Sequence, residues 1–417
     1  MKRIAILGAG TAGTLMANKL VKRLPEGWQV SVFDQDDVHV YQPGLLFVPF
    51  GSYREDEIVK KRRPLFDRRV ELRVGPVERV DAEAKVVVLG SGERVAFDVL
   101  ILATGSRIAP EQTPGLTGAG WGETAFDFYT LEGAKALRGA LEQFQGGRLV
   151  LNVAEMPIKC PVAPLEFLFL AEAFFTERGL REKVEITYAT PLEGAFTKPV
   201  ASATLGDMLS RRGVKVVGDF SLAEVDGVAR VIKSYDGRVV PYELLVSIPL
   251  HAGAEIITRS GLGDGGGWVP TDKHTLQTKA HPFVFAIGDC TDLPASKAGA
   301  VAHFQGDVLI ENVMRFIDGR PLAPDFDGHA NCFIETGHGK AMLIDFNYQT
   351  EPLPGRFPLP GVGPFTLLEE SAANHWGKLA FKWTYWNVLL AGMELPIDHH
   401  MSLAGKWQRP AEPRSAS

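Results

Sequence analysis

The chain has 417 residues, 45% of them hydrophobic and 23% charged, which suits a soluble globular protein of two or three domains. Its net charge of −6 leaves no basic footprint, so nucleic acid is not expected as a partner. Three cysteines, Cys160, Cys290 and Cys332, make neither a secreted disulfide framework nor a zinc-ligand spacing and read as reactive thiols or inert core residues.

An apolar strand over residues 4–7 begins almost at Met1, with no charged segment, apolar stretch and cleavage site ahead of it; the expectation is a cytoplasmic protein. Gly8-Ala9-Gly10-Thr11-Ala12-Gly13 follows, then a helix over 14–24 with Leu15, Met16 and Leu20 turned inward. Gly8 permits the tight turn, Gly10 lets a phosphate approach the backbone, and Gly13 allows close helix–strand packing. A second strand, 30–33, ends in Asp34, about 20 residues past Gly13, where a ribose-binding acid is expected. With strand, helix and acid in register, the motif predicts a dinucleotide site rather than a glycine-rich turn.

Two later segments favour FAD over NAD. A strand over 97–103 ends in Thr104-Gly105-Ser106, a return to the first domain. A strand over 283–287 ends in Gly288-Asp289, ahead of a helix from about 299. An aspartate there can accept hydrogen bonds from ribityl hydroxyls, and the helix N-terminus favours charge developing on a reduced flavin. Alone, Gly288-Asp289 would be a turn and a cap.

Between these segments lies a second α/β unit with strands at 149–153, 184–188 and 214–217 and helices at 164–178 and 203–212. The turn after its first strand should carry glycines if it binds a second dinucleotide. It carries Lys159, Cys160 and Pro161 instead, which points to a thiol as the electron entry point. If Pro161 opens the helix, Cys160 sits at a helix N-terminus, where the dipole, helped by Lys159, would stabilise a thiolate. Glu166 would move protons or merely satisfy the helix end. Cys290, directly after Asp289, reads as a packing residue. Cys332, at a strand end or loop, fits an inert role equally well.

The predicted fold class is α/β, with two Rossmann-like dinucleotide-binding domains and a C-terminal membrane or quinone-binding region. The boundaries fall at 1–115 for the first part of the FAD domain, 116–254 for the inserted domain with Cys160, 255–325 for the second part of the FAD domain, and 326–417 for the region with Cys332. Residues 375–393 are dense in aromatics, and Trp376, Leu379, Trp383, Trp386 and Leu390 recur at helical steps, interrupted by Lys378, Lys382 and Asn387. A helix from 376 to 390 spans about 22 Å, short of the roughly 30 Å hydrocarbon core. Trp, Tyr and Lys together suit a membrane surface; docking on the flavin domain, a dimer contact or a wall for a quinone are the alternatives.

Taken together, GAGTAG (8–13), YQPG (41–44), ATGS (103–106), KCPVAP (159–164), GDCTDLPASKAGA (288–300), HANCFIETG (329–337) and HWGKLAFKWTYW (375–386) resemble the sulfide:quinone oxidoreductases. The resemblance runs over nearly the whole chain. It implies FAD-dependent sulfide oxidation to sulfane sulfur or polysulfide through a Cys160/Cys332 pair that cycles between a bridged form and a persulfide, with a membrane quinone as acceptor. It places Gly8, Gly10, Gly13 and Asp34 on the ADP half of FAD, Gln42, Pro43 and Gly44 along the flavin, Asp289 on the ribityl chain and Lys297 near the isoalloxazine. Thr104, Gly105 and Gly288 join this set, and Lys378 and Phe381 fall in the quinone region. The implied partners are sulfide, a quinone and, through 375–393, the cytoplasmic side of the cell membrane, with a homo-oligomer left open. Two departures stand out: no third cysteine lies between Gly105 and Lys159, and residues 192–200 carry no histidine. The rival readings are a sulfide dehydrogenase donating to a cytochrome c, a type II NADH:quinone oxidoreductase, which would need glycines near 154–160 that are absent, and a sulfur-carrier or sensor flavoprotein without turnover.

Overall fold

A computed structural model describes residues 1–359, 361–395 and 397–407; the last ten residues of the predicted C-terminal region lie outside it, as do 360 and 396. Two five-stranded parallel sheets organise the chain. The first has the spatial order Val284–Ala286, Val99–Leu102, Lys2–Leu7, Trp28–Asp34, Glu71–Val74. The second has the order Ala125–Phe126, Leu244–Ile248, Gly147–Val153, Val184–Ala189, Val214–Val217. Their central strands are largely apolar runs, interrupted in the second sheet by the buried Asn152 and Ser247, as strands covered on both faces tend to be.

The first sheet draws on segments some 280 residues apart, so the chain leaves this unit, builds the second sheet and returns. Helix Thr11–Arg23 lies against helix Gly299–Ile317, and Leu15, Met16 and Leu20 are fully buried. The helix starts three residues earlier than the periodicity predicts, because its first turn is the glycine loop itself. The second unit's helices are Ala163–Glu177 and Pro199–Arg211, the latter also opening earlier than its apolar spacing suggests, at a proline whose missing N–H costs nothing there.

A third sheet, of mixed direction, closes the C-terminal part. Strands Ala330–Gly337 and Lys340–Phe346 form an antiparallel hairpin, flanked by Phe365–Leu367, Gly355–Phe357 and Glu370–Ser371. Helix Ala163–Glu177 packs on this hairpin. It is apolar nearly all round, as a helix covered on several sides must be, and Leu165, Phe167, Leu168, Phe169 and Phe175 are fully buried. At Gly337 a Cβ would lie 2.8 Å from Ala173 Cβ and 2.9 Å from the Phe169 carbonyl oxygen, so glycine is what lets strand and helix approach. That contact brings the segment of Cys160 to the segment of Cys332.

Helix Ala372–Thr384 runs across the hairpin and continues into a π-helical turn, Tyr385–Leu389. Among the described residues no helix is long and apolar enough to cross a membrane.

Candidate active site

The nucleotide loop and the two later turns converge. A Cβ on Gly8, whose φ is +98°, would lie 2.3 Å from the Ala103 carbonyl oxygen, and one on Gly13 would lie 1.9 Å from that of Gly8. A Cβ on Gly288, with φ +76°, would meet Ala12 Cβ at 3.3 Å. Loops 8–13, 103–106 and 288–289 therefore share one site, with glycines where backbone meets backbone. Gly10 and Gly105 face open space instead, leaving room for a phosphate or ring. The Thr104 and Ser106 hydroxyls are buried with no protein partner, as polar groups awaiting a polar ligand would be. These residues fit the adenine dinucleotide half of a flavin cofactor.

Asp34 Oδ2 accepts from the Ala9 amide at 2.6 Å and pairs with Arg62 at 3.2 Å. Arg62 also donates to the Ala9 carbonyl at 2.5 Å, so a residue that the motif does not include ties the start of the loop to Asp34. His39 joins them: its Nδ1 lies 3.2 Å from the Ala9 oxygen and its Nε2 2.7 Å from the Tyr385 hydroxyl. Burial, seconded by the Arg62 charge, lowers His39 to a pKa of about 4.

Gly44 is held by packing, since a Cβ there would sit 2.6 Å from Ile58 Cγ2; Pro43 is half-buried and Gln42 exposed. Gly288 N donates to Gln305 at 2.8 Å, and Asp289 lies in the short turn before Cys290. Burial raises the Asp289 carboxyl, opposed by Lys297 and Lys159. The Lys297 ammonium donates to the backbone oxygens of Asp289 at 3.0 Å and Thr291 at 2.6 Å and lies over Trp268, so it anchors this turn. The Lys297 carbonyl accepts from the Cys160 amide at 2.6 Å, tying the cysteine turn to the flavin domain.

Cys160 does not sit at the helix N-terminus as expected. The helix begins at Ala163 with Val162 as its N-cap, and Cys160 precedes it in the left-handed region at φ 45°. A non-glycine residue there costs about 1 kcal/mol or more, a strain typical of functional turns. The thiol is not acidified either. Burial, then the Glu166 carboxylate, pushes it up to about 12, with Lys378 opposing. Lys159 does not rescue it: burial lowers that ammonium, whose favourable charges are Asp289 and Asp127. Cys332, third in its strand, is also raised, by burial first and then by Cys160 and Glu166. Both thiols thus share one electrostatic neighbourhood, and both are free. Cys290 is fully buried and directs its sulfur to the Leu102 and Ile287 oxygens, as a packing residue should.

Glu166, 1% exposed, stands between the two cysteine segments. Its Oε1 accepts from the Glu335 amide at 2.7 Å and from the Lys378 ammonium. Lys378 also donates to the Phe333 oxygen at 3.0 Å. Burial raises Glu166, with Lys378 opposing it, and the Lys378 ammonium is held above its ordinary range by Glu166 and Glu335 against its own burial. Beyond this pair, Glu335 bonds His375 Nδ1, and the His375 ring is partly exposed. Glu166 with Lys378 and Glu335 with His375 are two hydrogen-bonded pairs, coupled by the charge of Glu335 on Lys378, that together reach from the thiols toward solvent. Glu335 and His375 escaped the sequence reading; the crossing of helix Ala372–Thr384 over strand Ala330–Gly337 brings them together.

The C-terminal helix turns out differently from its expected stripe. Trp376 and Trp383 are 67% and 65% exposed, while Tyr385, Leu389 and Leu390 are buried. Lys378 is not an interruption of the apolar face but faces inward, because Glu166 and a carbonyl compensate its burial. Phe381 is half-buried, with its ring 6.4 Å from that of Tyr385.

The family model of pyridine nucleotide-disulphide oxidoreductases matches residues 2–159. The mitochondrial sulfide:quinone oxidoreductase of Mus musculus is 27% identical over 93% of this chain and 86% of its own. That of Schizosaccharomyces pombe is also 27% identical, over 92% and 89%. The crystal structure of the sulfide:quinone oxidoreductase of Aquifex aeolicus superposes with a TM-score of 0.78 at 17% identity, covering 93% of this chain and 92% of that one. Fold and nucleotide site define a flavoprotein oxidoreductase of α/β architecture with FAD as its cofactor. Within that class the chain is a homologue of the sulfide:quinone oxidoreductases.

Proposed function

We propose that the protein oxidises sulfide to sulfane sulfur at Cys160 and Cys332 and passes the electrons to a membrane quinone. The observation that carries this reading is the placement of both thiols around the buried Glu166–Lys378 pair, with the Cys160 amide bound to the flavin domain at Lys297. The turn that would hold a nicotinamide dinucleotide has no glycine between Ala154 and Cys160, so a thiol takes that place.

Bound FAD supplies a two-electron acceptor that links thiol chemistry to quinone; Gly8, Gly10, Gly13, Asp34, Thr104, Gly105, Gly288 and Asp289 would hold it. Hydrosulfide attacks one sulfur of a Cys160–Cys332 bridge, a new S–S bond forms, and the other cysteine leaves as a thiolate with the electron pair. A second hydrosulfide takes the sulfane sulfur off as a disulfide anion and leaves a thiol. Re-forming the bridge releases one proton and two electrons. Burial disfavours the thiolate at both cysteines, so removing the one remaining thiol proton needs a base, and Glu166 is the carboxylate in place. Lys378 opposes the burial that favours the neutral acid at Glu166, and Glu335 with His375 stands on the side toward solvent.

Trp376 and Trp383 on the exposed face of the C-terminal helix suit the interface of a bilayer, which we place on the cytoplasmic side of the cell membrane. Phe381 and the helix around it would admit the quinone. The test is anaerobic: the yellow protein is mixed with sulfide, and separately with NADH, while flavin absorbance is followed before quinone is added. Bleaching by sulfide and recovery with quinone is the expected result; bleaching by NADH alone would overturn it.

A further inference from the structure

We propose that Asp325, His399 and His400 form a binding site for one divalent transition-metal ion, zinc foremost, which clamps the C-terminal segment onto the body of the protein. The proposal is independent of the sulfide chemistry. Side chains of adjacent residues in an extended chain point to opposite faces. Here the two imidazoles are folded together, with ring centroids 4.3 Å apart. His399 Nε2 lies 2.9 Å from one oxygen of Asp325, and His400 Nε2 lies 3.0 Å from the other. One ligand atom from each residue lies within 4.8 Å of the others.

Two imidazole nitrogens and a carboxylate suit zinc and its neighbours; calcium and magnesium prefer an all-oxygen shell. With metal–ligand bonds of about 2.0–2.1 Å, adjacent ligands of a tetrahedral ion stand roughly 3.3 Å apart. The N–O separations here are only a few tenths of an ångström shorter, so a small outward movement of the rings would admit the ion. The site is empty in this structure, and water would complete the shell, since all three side chains reach solvent.

The surroundings look built for the same purpose. Asp398 Oδ1 lies 3.6 and 3.7 Å from the Nδ1 atoms of His399 and His400, behind both rings, and accepts the His400 amide at 2.9 Å. Without an ion the nearer Asp325 oxygens hold protons on the Nε2 atoms; once an ion displaces these, the Asp398 carboxylate behind the rings favours protons on both Nδ1 atoms, the tautomer a metal requires. Asp325 is fixed before the tail arrives: its amide and that of Phe326 donate to the His274 oxygen, and His274 Nδ1 lies 2.8 Å from the Phe326 oxygen. The tail is held on both sides of the histidine pair, by His329 at the Asp398 carbonyl and by the Met401 amide on Asp327. Further on, the Lys406 ammonium meets Asp345 at 2.5 Å and the Trp407 amide donates to Pro354. An ion at the histidine pair would add a further clamp on this strap.

The full-length flavoprotein, dialysed against chelator, is titrated with zinc by calorimetry and with cobalt, whose visible bands report a nitrogen-containing site of low coordination number. About one equivalent should bind, and His399→Gln and Asp325→Asn should each weaken binding by about 10- to 100-fold, while His281→Gln does not. Zinc should also slow proteolytic cleavage in 394–407 of the unaltered protein and not of the variants. Flavin absorbance checks that each variant is folded. No saturable binding, or binding equal in all three variants, would overturn the proposal, as would several weak equivalents.

Discussion

The Lys378 ammonium donates to the Glu166 carboxylate across 212 positions of chain, joining the C-terminal helix to the helix that follows Cys160. Both groups are nearly withdrawn from water, so each depends on the other for its charge. Removing one partner of such a pair costs roughly 3–5 kcal/mol, because a buried charge is left alone. Lys378→Met should therefore lower the thermal midpoint sharply, and the double variant Glu166→Gln/Lys378→Met should recover much of the loss. An additive double variant would show that the two are not coupled.

The three cysteines should separate cleanly. Cys160→Ala and Cys332→Ala should each slow flavin reduction by sulfide by roughly 100-fold or more, since either change removes the bridge. Cys290→Ala should leave that rate near the unaltered protein's, its sulfur being taken up by two backbone oxygens away from the thiol pair. Stopped-flow bleaching under anaerobic conditions measures all three. Near-normal reduction in both Cys160→Ala and Cys332→Ala would end the thiol mechanism.

Glu166 should also shape the pH dependence of re-forming the bridge. In Glu166→Gln the Cys160 thiol loses the charge that seconds burial in raising it, but it stays buried, has no local base and must lose its proton to hydroxide. The rate of the variant should keep rising with pH through the alkaline range, where the unaltered protein has levelled. Parallel profiles would assign Glu166 a structural role alone.

The nucleotide cradle was legible because its glycines answer to backbone sterics that recur at fixed spacing: Gly8 and Gly13 stand where any Cβ would collide with a carbonyl oxygen. The cysteine turn was legible by what it lacks. Its conformation was not, since Pro161 suggested a helix start and the chain instead takes Cys160 through a positive φ, reaching Ala163 before the helix begins. Lys378 was misplaced for a different reason. Helical periodicity ranks lysine as surface, and only a partner 212 positions away turns it inward. Glu335 and His375 left no local signal; they meet because strand Ala330–Gly337 and helix Ala372–Thr384 cross.

His39 sets an acid limit on the fold. Its folded pKa, about 4, lies below the ordinary 6.5, because burial and Arg62 disfavour the imidazolium. Between these values the unfolded chain takes up a proton that the native protein refuses, so stability falls as pH drops from about 6.5 to about 4. The size is on the order of 3 kcal/mol for a shift of this extent. His251, lowered to about 3 by burial and then Lys159, acts in the same direction. Denaturant unfolding at a series of pH values should show a slope that His39→Gln makes shallower. An unchanged slope would mean that His39 ionises freely in the native state.

Trp376 and Trp383 lie one above the other on the exposed face of helix Ala372–Thr384, two turns apart, while the opposite face carries Lys378 to the thiols. The two functions of this helix therefore sit on opposite sides and should be separable. Each ring is already about one-third covered, so transfer of the remainder into the bilayer interface should contribute about 1 kcal/mol, or roughly 30-fold in partitioning for the pair. In Trp376→Ala/Trp383→Ala, co-sedimentation with liposomes should fall by that factor and turnover with liposome-borne quinone should fall with it. Flavin reduction by sulfide should stay as it was, since Glu166, Lys378 and both cysteines are untouched. Undiminished binding to liposomes would remove this face from the membrane contact, and loss of sulfide-driven reduction would show that the two faces are not independent.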